Sequence, residues 1–229
     1  MRHDFKRPIL ALVGCSHTAE FTPRESVGRS LSHRLPGHTV LNMAFKGSSR
    51  MYAAHVCDRI LREIGPEIMI FQLAGPNRFT RWVDHDPFQY IKSEHGRYHW
   101  VDHLHISGLN NLNSGVVYNG VSQRSEEDLK IGRMLFDWFT DDMLQLEADV
   151  IADAFRPRVQ LMYSHRRDFH ARGQVISLFD VFGEHCYRSH LIDEGHHFDI
   201  AGIERTADWI IYNLLRDGHL TPDQVIKPT

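Results

Sequence analysis

The chain has 229 residues, 42% hydrophobic and 24% charged, enough for one well-buried core and too few for two comfortable domains. Its 26 basic and 29 acidic side chains leave a net charge of −3, so no strong positive field exists to displace counterions from nucleic-acid phosphate. The apolar run Ile9-Leu10-Ala11-Leu12-Val13 is too short for a signal-peptide core or a membrane span. Three cysteines, Cys15, Cys57 and Cys186, are odd in number and lack metal-type spacing, so a reducing, cytoplasmic setting is expected. The 17 histidines invite a metal reading, above all His99, His103 and His105 around Asp102. No His-Glu-x-x-His helix or zinc spacing accompanies them, and no metal site is expected.

In chain order, residues 8–13 read as a buried strand ended by Gly14. A helix over about 24–35 places Val27, Leu31 and Leu35 on one face, and Pro36-Gly37 breaks it. Residues 38–43 form a second strand. Ser48 or Ser49 caps a helix running to about Ile64, with Ala53, Val56, Ile60 and Ile64 inward, before Gly65-Pro66. Residues 67–74 are a third strand, apolar enough to be covered on both faces. The rhythm breaks over 79–124, rich in Trp, His, Asn and Gly, which reads as an irregular insertion or lid within a single domain. A long helical region is expected over 125–155, a fourth strand over 158–163, a short fifth within 175–182, and a final helix over 200–215. Its apolar face carries Ile203, Ala207, Ile210 and Leu214. Alternating strands and helices predict a parallel sheet between helical layers.

Ligands of such sheets bind beyond the carboxyl ends of the strands, so the residues following each strand carry the chemistry. They are Gly14-Cys15-Ser16-His17-Thr18 after the first, Asn42 to Ser48 after the second, and Gly75-Pro76-Asn77-Arg78 after the third. Asp193-Glu194-Gly195-His196-His197-Phe198 precedes the last helix. Singly, each has a turn or cap explanation. Together they supply a nucleophile, oxyanion donors, a base and an acid.

This set resembles the SGNH hydrolases, also called GDSL-type esterases, which are named for Ser, Gly, Asn and His in four blocks. Gly14-Cys15-Ser16 matches the first block, with Cys15 where the family has a structural Asp. Asn42 and Gly47 match the second, with Ala44 where the family has a first Gly, and Gly75-Pro76-Asn77-Arg78 matches the third with Arg78 in place of Asp. Asp193 and His196 have the family's Asp-x-x-His spacing. The apolar residue after His and the Gly five positions on instead select His197, with Phe198 and Gly202. The base is therefore His197 or His196, with a lean to His197, and the acid is Asp193 or Glu194.

The resemblance implies a flavodoxin-like three-layer α/β/α sandwich with a mostly parallel five-stranded sheet, and a carboxylic-ester hydrolase acting through a catalytic triad. Ser16 would be the nucleophile, with an oxyanion hole from the backbone N–H groups of Ser16 and Gly47 and the Asn77 amide. Ser near the N-terminus and the order Ser, Asp, His without a Gly-x-Ser-x-Gly elbow separate this from the α/β-hydrolase fold. His17 reads as a wall residue, and Cys15, at an apolar strand end, as a poor nucleophile. Arg78 and Trp82, with the rest of the insertion, are expected to line a pocket for a small acyl ester, including O-acetyl on a carbohydrate. No cofactor, nucleic acid or membrane partner is expected, and the oligomeric state is left open. An acyltransferase using the same triad and a non-catalytic binding module on the same fold are the competing expectations.

Overall fold

The computed structural model describes residues 6–15, 18, 26–44, 48–74, 140–165, 175–184, 186, 190 and 198–226. It describes the backbone of five further strands between 78 and 117. The central strands are β1 (Ile9–Val13), β2 (Thr39–Asn42), β3 (Ile68–Leu73), β9 (Leu161–Ser164) and β10 (Ile176–Ser177). All pair in parallel, in the order β10-β9-β3-β1-β2. This is the flavodoxin-like order, with the winding reversed between β1 and β3.

Two apolar layers follow from the alternation of side chains along β1. Ile9, Ala11 and Val13 face a cluster built with α2 (Arg50–Glu63) and α3 (Asp141–Phe155). Leu10 and Leu12 face the other, built with α1 (Val27–Arg34) and α5 (Ile200–Arg216). β1 and β3 are buried at every position, as strands covered on both faces must be. The result is an α/β/α sandwich.

Local chemistry accounts for the element ends. Ser26, Ser49 and Asp199 cap α1, α2 and α5 by accepting the N–H of Arg29, Tyr52 and Gly202. The inward residues expected on α5, Ile203, Ala207, Ile210 and Leu214, are all buried. No helix among the described residues is long and apolar enough to cross a membrane.

The short fifth strand falls within the expected 175–182, and one expectation elsewhere changes. The fifth strand is only two residues, because the Ser177 side chain accepts the Asp180 N–H and starts α4 (Leu178–Phe182) over the rest of that segment. The stretch expected to be irregular carries strands. β4 (Arg78–Trp82) pairs antiparallel with β7 (His103–Ser107), which pairs with β8 (Val116–Val117). β5 (Tyr90–Lys92) and β6 (Tyr98–Trp100) form a separate pair. Aromatic and β-branched residues favour these strands, but their pairing spans long polar connections that conceal it from local pattern. Within the helical region expected over 125–155, residues 125–139 lie outside the described residues, and α3 covers its last part.

Candidate active site

The carboxyl ends of β1 and β3, at the reversal of winding, lie side by side. A Cβ at Gly14 would sit 2.4 Å from Gln72 Oε1 and 2.7 Å from Gln72 Cβ, so only glycine allows this approach. Gln72 is a buried amide in an otherwise apolar strand, and its hydrogen bonds explain its presence. Oε1 accepts the Cys15 N–H at 2.7 Å and the Thr18 hydroxyl at 3.3 Å. Nε2 donates to the Leu73 carbonyl at 3.2 Å.

That pattern assigns the next proton. An amide oxygen only accepts, so the single Thr18 proton goes to Gln72. The 2.7 Å contact between Thr18 Oγ1 and the Tyr163 hydroxyl is then donated by Tyr163. Burial pushes the Tyr163 phenol well up, against the opposing pull of its bond to Thr18, and keeps it in the neutral, donating form. Thr18 is engaged at its backbone as well. Its N–H donates to the Cys15 carbonyl at 3.0 Å, and its carbonyl accepts from Asn42 Nδ2 at 2.8 Å. Asn42, at the end of β2, also accepts the Ala44 N–H at 3.3 Å. Cys15 and Thr18 are thus both fixed to neighbouring strands. Ser16 and His17, between them, lie outside the described residues.

A second anchored segment borders the last helix. Asp199 donates its N–H to the His190 carbonyl at 2.7 Å, while its carboxylate meets His190 Nδ1 at 3.1 Å and caps Gly202 at 2.6 Å. Positions 190 and 199 are therefore tied together, with Asp193, Glu194, His196 and His197 on the connection between them and outside the described residues. Phe198 is buried edge-on to His165 (centroids 5.0 Å apart), and a Cβ at Gly202 would come within 2.9 Å of both Phe198 and His190. His165 follows β9 and packs edge-on against Tyr163 at 5.7 Å, and Tyr163 meets Trp209 of α5 at 5.8 Å. A continuous set of contacts therefore runs from Thr18 through Tyr163 and His165 to Phe198.

Gly47 and Asn77 also lie outside the described residues. Arg78 and Trp82 are the first and last residues of β4, opposite Ser107 and His103 in register, and their side chains lie outside the description. Gln72, Thr18, Tyr163 and Arg50 were not singled out in the sequence. The one local signal was a glutamine amid the apolar residues of β3, which becomes informative only with its long-range partners known.

No protein-family model matches the chain, and no curated protein matches it significantly. Solved structures similar to it in fold include the lipase/acylhydrolase from Enterococcus faecalis, at 14% identity and a TM-score of 0.49, covering 97% of this chain and 100% of that one. The psychrotrophic esterase EstA from Pseudoalteromonas sp. has 8% identity and a TM-score of 0.46, covering 92% and 97%. A catalytic mutant of an acetylxylan esterase from Geobacillus stearothermophilus has 12% identity and a TM-score of 0.42, covering 96% and 97%.

Proposed function

We propose that this chain is a serine esterase of the SGNH type, with Ser16 as nucleophile and His197 as base. The observation that carries the reading is the link from Thr18 to Phe198 through Tyr163 and His165. Thr18 is two residues after Ser16, and Phe198 directly follows His197, so described contacts gather the flanks of both groups at one edge of the sheet. The burial of Phe198 and the close approach at Gly202 also favour the block register built on His197 over that built on His196.

In this mechanism the imidazole takes the Ser16 hydroxyl proton as Oγ attacks the ester carbonyl. Asp193, or Glu194 in its place, orients the imidazole and stabilises its charged form. The backbone N–H groups of Ser16 and Gly47 and the Asn77 amide receive the oxyanion. Collapse transfers the proton to the leaving alcohol and leaves an acyl-enzyme on Ser16, which water resolves by the same steps. Arg78, Trp82 and the rest of the insertion are rich in cationic, aromatic and amide side chains suited to a small acyl ester such as an O-acetylated carbohydrate.

A fluorophosphonate probe tests nucleophile and activation together. Mass spectrometry of the labelled protein is expected to place the adduct on Ser16, and Ser16→Ala to abolish turnover of p-nitrophenyl acetate. A Ser16→Ala protein that hydrolyses the ester as fast as the unaltered chain refutes the proposal.

A further inference from the structure

Among the described residues, Arg50 is one of the largest side chains to be fully buried, at 1% exposed. A buried guanidinium is tolerated only when its charge is paired and its donors are used. Here Nε donates to the Ala74 carbonyl at 2.9 Å, and Nη1 donates to the Leu144 carbonyl at 2.7 Å. Glu147 of α3 supplies the counter-charge, 3.7 Å from Nη1. Burial pushes the Glu147 carboxyl up while Arg50 pulls it down, as expected of a carboxylate held to a buried cation.

Packing of α2 on α3 does not require this group. The layer they share is otherwise apolar, and replacing a buried ion pair by apolar side chains of like volume is often neutral or stabilising. What a guanidinium adds is direction, because its planar fork holds two carbonyls at fixed angles, which a lysine ammonium cannot reproduce. The places it joins are specific. Arg50 is the first residue of α2, behind the buried Ser48 and Ser49 and three positions after Gly47. Ala74 is the buried residue that leaves β3, three positions before Asn77.

We propose that Arg50 is a positioning residue for the oxyanion site, locking the segments that bear Gly47 and Asn77 to each other and to α3. The inference rests on the reading of those two residues as oxyanion donors. It is a role in rate, because donors must sit where charge develops in the transition state, and displacing them by about 1 Å costs on the order of a hundredfold.

The test compares Arg50→Lys and Arg50→Met with Arg34→Met. Arg34 is a buried arginine on α1 that meets Glu204 and Asp208 of α5, in the other helical layer. Readouts are kcat and KM for p-nitrophenyl acetate, the rate of fluorophosphonate labelling of Ser16, and thermal melting. Arg50→Lys is expected to lower kcat and labelling about tenfold to a hundredfold with KM within about threefold, since one carbonyl contact is lost while the charge is kept. Arg34→Met is expected to lower the melting temperature with labelling unchanged. Should Arg50→Met fail to fold, the lysine variant carries the comparison. Wild-type kcat in Arg50→Lys, or an equal loss of labelling in Arg34→Met, overturns the positioning role. Unlabelled Ser16 in the unaltered protein overturns the esterase reading beneath it, so the two failures are told apart.

Discussion

Gln72→Met isolates what the buried amide contributes to the β1 exit. Methionine is close to glutamine in length and shape and fills irregular core space, so the substitution removes hydrogen bonding with little cavity. The Cys15 N–H, in a residue 1% exposed, loses its 2.7 Å acceptor. Removing the acceptor of a buried donor costs about 1–3 kcal/mol. The Thr18 hydroxyl loses a longer bond of 3.3 Å but keeps its contact with Tyr163, which adds about 0.5–1.5 kcal/mol. Together these predict a loss of about 1.5–4.5 kcal/mol, against a total stability on the order of 5–15 kcal/mol for a domain. For a chain of this length that corresponds to a fall in melting temperature of about 3–18 °C. Calorimetry and urea unfolding at neutral pH measure it. Tyr163→Phe removes only the terminal donor of the same chain and is expected to cost about 0.5–1.5 kcal/mol. A Gln72→Met protein melting within about 2 °C of the unaltered chain would mean that the Cys15 and Thr18 bonds contribute nothing net, and the account of the anchored β1 exit would fall.

Two further outcomes are expected. Gly202→Ala places a methyl 2.9 Å from the side chains of His190 and Phe198, so overpacking should cost about 1–3 kcal/mol by urea unfolding and raise hydrogen exchange around Phe198. Unaltered stability and exchange would show that the two neighbours yield freely. Burial pushes the Cys57 thiol up to about 12, partly opposed by Arg158, so at pH 8 its thiolate is about a thousandfold scarcer than that of a free cysteine. Iodoacetamide should therefore spare Cys57 in the folded protein and modify it once urea unfolds the chain. Equal rates in the two states contradict its burial.

Local pattern determined much of this protein. The periodicity of 200–215 and a capping serine at 48 or 49 were legible because helix faces and caps depend on residues three or four apart, and the structure selects Ser49. The apolar runs at 8–13 and 67–74 were equally plain, since strands covered on both faces need no alternation. The short blocks at successive strand exits could be read as a candidate site because a parallel sheet gathers such exits at one edge. The short fifth strand expected within 175–182 is present at Ile176–Ser177, but the apolar run alone did not mark where strand gives way to helix, and the Ser177 cap decided that boundary.

Tertiary structure alone decided the rest. Strand order depends on which crossover passes over which neighbour, and no local period records that. In sequence, Gln72 is a polar interruption of a strand and Arg50 a charge at a helix start that would normally face water. Their partners, Cys15, Thr18, Ala74 and Leu144, lie 24 to 94 positions away. A buried polar group is explained only by what meets it, and those meetings exist once the sheet has brought distant segments together.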